Sequence, residues 1–335
     1  MKRTAFIISV LMVIAALLSG CGKEQTDTPN KNENLLQVYT TVYPLQYFAQ
    51  QIGGDYVQVE TIYPPGADEH TFEPSQKDMM ALADSDLFFY VGLGLEGFVD
   101  KASNTLKNED VKMVPVGEAL HLEEEAGHTE ENSEDDHDSH EENEENHDSH
   151  EGDNHDDHGH GDIDPHVWLD PIYANELALA IKNQLAEQMP EHKDTFEKNY
   201  SELSGSLKAI DQQFAEVVNS AKRKEIIVAH SAYSYWEKRY GIEQISIAGL
   251  STTNEPSQKE LQKLISHAKD EKIKYVLNEQ NFDSKLANMV KDEINAKSLT
   301  LHNLSVLTDE NIKNKDTYFT LMEENIATLK KALNE

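Results

Sequence analysis

The chain has 335 residues and a formal net charge of −33, with 62 acidic side chains against 29 Lys and Arg. Nineteen of the acidic residues and no Lys or Arg fall between 123 and 162, which leaves about −14, an ordinary acidic surface, for everything else. With no basic stripe and a strong negative field, a nucleic-acid partner is excluded.

The first segment carries Lys2 and Arg3, then an apolar run from Ala5 to Leu18. That run has the length of a signal-peptide core and is short for a spanning helix. It ends in Leu18-Ser19-Gly20-Cys21, which resembles a bacterial lipobox, and Cys21 is the only Cys of the chain. Residues 1–20 are therefore expected to be a lipoprotein signal peptide and Cys21 the lipidation site. The polar stretch 21–34 is expected to be a flexible tether. Nothing after Leu18 is apolar enough to span a bilayer, so the body is expected outside the cytoplasm, anchored by lipid to the outer face of the cell membrane.

Length beyond the signal exceeds what one core usually serves, and two lobes are expected. In the first, strands are predicted over Leu35–Val42, Tyr56–Ile62, Leu87–Val91 and Val111–Val114. Helices alternate with them over Leu45–Ile52, ending at Gly53-Gly54, from Ser75 to about Ala83, and over Glu96–Leu106. After Leu120 the chain changes character. Residues 121–162 hold nine of the fifteen histidines among carboxylates and almost no apolar side chains, a composition that cannot build a core. Imidazole and carboxylate are ligands of borderline divalent metals, so His128, His137, His140, His147, His150, His155, His158 and His160 are candidate accessory metal ligands.

Order resumes at Asp164. Helices are predicted over Ile172–Met189 and, with an apolar stripe of Phe196, Tyr200, Leu203, Leu207, Ile210, Phe214 and Val217, over Glu191–Ala221. The second lobe repeats the alternation. Its strands are Glu225–Ala229, Ile242–Ile247, Ile273–Leu277 and Ser298–Leu301; its helices are Ser234–Tyr240, Ser257 to about Asp270, Ser284–Ile294 and Tyr318–Leu333. Glu73-Pro74-Ser75-Gln76-Lys77 recurs identically at 255–259, each copy opening a helix with capping-box spacing and leading to a strand. The expected class is α/β: an N-terminal lobe over 35–171 with the 121–162 insertion, helices over 172–221 that include a long connector, and a C-terminal lobe over 222–335, each lobe with a mainly parallel sheet flanked by helices.

In such sheets ligands bind beyond the carboxyl ends of the strands. Four ligand-type residues stand in that kind of position. His70 follows the strand ending at Ile62 in a loop stiffened by Pro64 and Pro65. His166 lies in Asp164–Pro171, His230 directly follows the strand ending at Ala229, and Glu279 follows the strand ending at Leu277.

At these four places the chain resembles the metal-binding solute-binding proteins of ABC importers that take up zinc or manganese, and it is close to the zinc-binding lipoproteins of the ZnuA/AdcA type. The similarity covers nearly the whole mature chain; the stretches around His70, His166, His230 and Glu279 match the family's ligand loops in order, Asp164–Pro171 most specifically. The resemblance implies a first shell of His70, His166, His230 and Glu279, a long helix between the lobes, small movements on metal binding, and a permease and ATPase as partners of a monomeric receptor. Glu69 is a rival for the fourth position. Asp164 is a candidate partner that orients His166, while Asp170 serves either that role or as a helix cap before Pro171. His192, His267 and His302 read as surface or structural, and Trp168, Tyr233 and Trp236 as packing around the site.

Three neutral imidazoles and one carboxylate suit tetrahedral Zn²⁺, whereas Mn²⁺ favours more oxygen and higher coordination. The family's manganese carriers tend to have an acidic residue where this chain has His230. Zinc is therefore the expected ion, bound and delivered without catalysis. The alternatives are a manganese or broader divalent-metal receptor, or an extracellular zinc buffer or adhesin. A secreted metallohydrolase is disfavoured because no His-Glu-x-x-His pairing exists.

Overall fold

Residues 35–120, 122, 163–281 and 284–335 are described in the computed structural model. The signal-like run, Cys21, the tether and the His-rich insertion with its eight candidate histidines lie outside them.

The β-branched runs of the first lobe pair as four parallel strands, β1 (Leu36–Thr40), β2 (Val57–Thr61), β3 (Leu87–Tyr90) and β4 (Lys112–Pro115), in the order β2-β1-β3-β4. Parallel strands need crossovers, and α1 (Tyr43–Gly53), α2 (Gln76–Ala83) and α3 (Val99–Leu106) supply them. α1 starts two residues earlier than expected because Pro44 fits its first turn, and it ends at Gly54, whose φ of 56° with ψ of −128° only glycine adopts readily. α3 starts three residues later than expected. Gly92 turns the chain at φ 76°, and the Glu96 carboxylate, instead of entering a helix, accepts from the backbone N–H groups of Val91 and Gly92 at 2.8 and 2.9 Å.

α4 (Pro171–Gln188) and α5 (Lys193–Asn219) follow, joined by a 3₁₀ turn at Pro190–His192. α5 has 27 residues, about 40 Å at about 1.5 Å per residue. Its stripe of Phe196, Leu203, Leu207, Ile210, Phe214 and Val218 is buried, and it packs on α1 and α4. The second sheet, β5 (Glu225–Val228), β6 (Glu243–Ser246), β7 (Tyr275–Asn278) and β8 (Lys297–Thr300), has the order β6-β5-β7-β8, the same winding as the first. α6 (Ser234–Tyr240), α7 (Gln258–Asp270) and α8 (Lys285–Glu293) cover it. α9 (Asp309–Asn314) was not expected; its cap is Thr308 with Asn311 rather than an acid, a weaker sequence signal. α10 (Tyr318–Ala332) closes the chain.

The repeated pentapeptide does the same work twice. Ser75 caps α2 and Ser257 caps α7, each hydroxyl accepting a backbone N–H at 3.3 Å while Asp78 or Glu260 accepts the serine N–H at 2.8 Å. Both helices connect the outer strand β2 or β6 to the inner strand β3 or β7. Among the described residues no helix is long and apolar enough to cross a membrane.

One large cluster of buried side chains runs through both lobes, from Val38, Phe48 and Phe89 through Trp168 and Phe214 to Trp236, Leu277 and Leu329. A smaller one, including Ile227, Ala268, Val276 and Val290, lies between the second sheet and the α7–α8 layer. α10 explains part of the continuity. Although it follows the second sheet in sequence, its Tyr318 ring stacks edge-on against Phe48 of α1 at 5.0 Å and its hydroxyl donates to the Trp168 carbonyl at 2.9 Å. Phe48→Ala, which empties that contact at a fully buried position, should destabilise the protein by about 3–5 kcal/mol, read from urea unfolding.

Candidate metal centre

Three of the four expected residues sit where parallel α/β sheets place ligands; His166, expected after a strand too, instead precedes a 3₁₀ turn. β2 runs into the loop that carries Glu69 and His70, β5 ends two residues before His230, and β7 ends immediately before Glu279. His166 precedes a 3₁₀ turn, Val167–Leu169, that feeds α4. Asp170 caps α4, accepting from Ile172 N at 2.8 Å and Tyr173 N at 3.2 Å, with Arg239 on its other oxygen.

Three imidazoles converge. Nε2 of His166 stands 3.3 Å from Nε2 of His70 and 3.3 Å from Nε2 of His230. Nitrogens at about 2.0–2.1 Å from one ion in a tetrahedron are about 3.3–3.4 Å apart, so these spacings match two edges of such a site. His166 and His230 are fully buried. Among the described residues, Glu69, His70, His166 and His230 form the group of potential ligands whose atoms all lie within 4.8 Å of one another. Glu279 stands outside that group; its Oε1 is bonded to Nδ1 of His230.

Carboxylates set the ring orientations. Asp164 Oδ1 accepts from both Nδ1 and the backbone N–H of His166, at 2.7 and 2.9 Å, and its other oxygen is held by Ser234. Since a carboxylate only accepts, the network assigns a proton to Nδ1 of His166 and of His230 and points Nε2 at the centre. Asp68 shapes the first loop: Oδ1 accepts the His70 N–H at 2.9 Å and Oδ2 accepts the Thr252 hydroxyl at 2.7 Å. Asn281 adds a second link across the lobes, donating to the Ala67 carbonyl at 3.0 Å.

Burial, reinforced by the charges of His166 and His230, pushes His70 down to about 3, so its ring is neutral. Burial would also lower His230, but the charge and hydrogen bond of Glu279, with Glu69 and Asp164 behind them, outweigh it and raise His230 to about 9. Burial and then the charge of Glu279 raise Glu69 above the usual carboxylate range. Asp164 is held low: burial opposes this, but the charge and hydrogen bonds of His166 and the Ser234 hydroxyl prevail.

His70 also faces a cleft of about 830 Å³, lined from both lobes by residues that include Tyr90, Glu96, Asp100, Glu118 and Ser251. The other histidines are elsewhere. His302 is bonded to Glu324, His267 to Glu225, and His192 stacks on Tyr56. Trp168, Tyr233 and Trp236 are fully buried beside the site.

Two polar residues at the site carry no motif. Asn303, just beyond β8, donates from Nδ2 to Glu69 Oε1 at 3.1 Å and to Glu279 Oε2 at 2.7 Å. Only its position after a strand end could have pointed to it. Glu96 ties the β1 and β3 ends together through the Thr41 hydroxyl and two backbone N–H groups.

The sequence model of one protein family, described as "Zinc-uptake complex component A periplasmic" and called ZnuA, matches residues 38–332. The chain belongs to this family. Among its ZnuA-like relatives is the high-affinity zinc uptake system protein ZnuA of Bacillus subtilis strain 168, 34% identical over 97% of both chains. Another is the zinc-binding lipoprotein AdcA of Streptococcus pneumoniae serotype 4, 32% identical over the whole of this chain. The chain spans 62% of the length of that relative. Its fold matches the Zn(II)-bound ZnuA-like domain of Streptococcus pneumoniae AdcA with a TM-score of 0.70 and 31% identity, covering 90% of this chain and 100% of that one.

Glu96 yields a stability test. Burial raises it to about 7, against the three hydrogen bonds that favour its ionised form. The folded state thus holds this proton longer than the unfolded state, and stability falls as pH rises from the ordinary carboxyl value of 4.5 to about 7, then levels. At about 1.4 kcal/mol per pH unit this is on the order of 3 kcal/mol. Urea unfolding of the metal-free Glu96→Gln variant should lack that slope.

Proposed function

We propose that this protein is an extracytoplasmic receptor that captures Zn²⁺ between its two lobes and delivers it to the permease and ATPase of a zinc ABC importer. One observation carries the choice of ion: Nε2 of His166 stands at tetrahedral-edge spacing from Nε2 of both His70 and His230, and carboxylates hold the opposite ring nitrogens of His166 and His230. Neutral nitrogen donors with a single carboxylate suit Zn²⁺ better than Mn²⁺. Family membership and the names of the relatives support the same reading. The protein acts as a monomer, lipid-anchored through Cys21, and binds its cargo without transforming it.

His70, His166 and His230 hold the ion through Nε2, and a carboxylate takes the fourth corner. Glu69 places an oxygen within 4.8 Å of the three imidazole nitrogens, and burial and the charge of Glu279 raise its pKa. We assign the corner to Glu279, which directly follows β7 at the strand end where such sheets bind ligands, with Glu69 as its rival. Asp164 stays behind His166 and fixes its tautomer. The histidines of 121–162 add weaker sites that gather zinc, because each must order its own chain on binding.

Competitive titration of Zn²⁺ and Mn²⁺ into the chain lacking residues 1–34 and 123–160 tests this. One tight site preferring Zn²⁺ is expected. His230→Ala should weaken it by more than the about 10–100-fold typical of losing an outer-shell partner, and Glu279→Gln should cost more than Glu69→Gln. A preference for Mn²⁺, or no tight site, would overturn the receptor assignment; the reverse order of the two Gln variants would move the fourth ligand to Glu69.

Proton release gives a second check. With His230 raised to about 9 and His70 lowered to about 3, the metal-free site at pH 7 holds one imidazolium proton that the ion must displace. Apparent affinity should therefore rise about tenfold per pH unit up to about pH 9. Calorimetry in buffers of different ionisation enthalpy should show about one proton released per ion at pH 7.

A further inference from the structure

We infer that Asn303 is a positioning residue that holds one oxygen each of Glu69 and Glu279 and so biases the site towards four-coordinate ions. The inference rests on the metal-receptor reading above.

Asn303 is 1% exposed. Its amide nitrogen carries two hydrogens, and both are used: one on Glu69 Oε1 at 3.1 Å, the other on Glu279 Oε2 at 2.7 Å. The orientation of the amide is fixed from the other side. Its Oδ1 accepts from the Ser305 N–H and hydroxyl at 3.1 and 3.0 Å and from Gln280 Nε2 at 3.3 Å. A flipped amide would set oxygen against two carboxylates and nitrogen against three donors. The backbone is held as well: the Asn303 carbonyl accepts the Trp168 indole N–H at 2.7 Å, and its N–H donates to Gln280 Oε1 at 3.3 Å. One side chain thus reaches the carboxylates of both lobes, and its backbone reaches the loop that carries His166.

The consequence is stoichiometric. A carboxylate can give an ion one oxygen or two. With one oxygen of each carboxylate accepting from Nδ2, chelation by both oxygens of Glu69 or Glu279 has to share or weaken that hydrogen bond. Three imidazoles and one oxygen make a tetrahedral set, which suits Zn²⁺; Mn²⁺ needs the additional oxygens that the amide holds. Asn303 does this without adding charge, so the pair of acids keeps its net attraction for a cation. A residue without donors here would free up to two more oxygens in the same buried space.

The test uses the full chain with Zn²⁺, Mn²⁺ and Co²⁺ as separate probes, in wild type, Asn303→Ala and Asn303→Ser. His166→Ala of the same chain serves as the blank, subtracting ions taken up elsewhere. The inference expects the Zn²⁺-to-Mn²⁺ affinity ratio to fall at least tenfold in Asn303→Ala. The intense visible band of tetrahedral Co²⁺ should weaken towards that of five- or six-coordinate Co²⁺. Asn303→Ser retains one short donor and should fall between; it carries the test if the Ala variant does not fold, as judged by its metal-free melting curve. An unchanged ratio with an unchanged Co²⁺ band would overturn the inference even if all three ions bound more weakly, since Asn303 would then only support the fold. If His166→Ala bound the first ion as tightly as wild type, the metal-receptor reading itself would fall, and the inference with it.

Discussion

Everything at the centre of this protein depends on hydrogen bonds to the far side of an imidazole. Nε2 of His166 stands 3.3 Å from Nε2 of both His70 and His230, a crowding that their ring orientations must be held to keep. The arrangement holds because Asp164 and Glu279 grip the opposite nitrogens of His166 and His230, and those acids are themselves held by Ser234 and Asn303. Each grip fixes a proton on Nδ1, so that Nε2 is the nitrogen available to an ion. The two sheets supply the strand ends from which His230, Glu279 and Asn303 depart.

The charge balance follows from the same arrangement. Glu69, Asp164 and Glu279 lie in or beside the pocket with three imidazoles, and in the metal-free protein the raised His230 offsets part of that negative charge. In the proposed receptor, a divalent ion would replace the imidazolium proton with a larger positive charge beside the acids. The pocket would thus exchange one cation for another and never be left with the acids uncompensated.

Much of this was legible in the sequence, because the informative residues lie at breaks in pattern. His230 ends a run of buried aliphatics, and the prolines before His70 rule out a helix there. The two copies of the pentapeptide announced two lobes of one design, and the strand orders agree. Long-range partners were harder to read. Asn303 touches Glu69 across 234 positions of chain and carries no motif, so its role exists only once β7 and β8 are paired. Glu96 read as the start of a helix, although Gly94 and Gly97 flank it; the demand of two buried N–H groups for an acceptor keeps it outside the helix. The same holds for α10, whose helix the sequence predicts but whose packing against α1 it does not.

The two hydrophobic clusters divide the body unevenly. The larger one binds both sheets, α5 and α10 into a single mass that contains Trp168 and the base of the site. The smaller one alone fastens α7 and α8 to the outer face of the second sheet, with alanines at two of its helical contacts. Free energies of local opening scale with the apolar contacts that must be broken. The α7–α8 layer is therefore the part of the body that opens at least cost, and amide hydrogens there exchange sooner than those of α5. Since β5 and β7 keep their other faces in the larger mass, this outer layer can breathe while His230 and Glu279 stay in register.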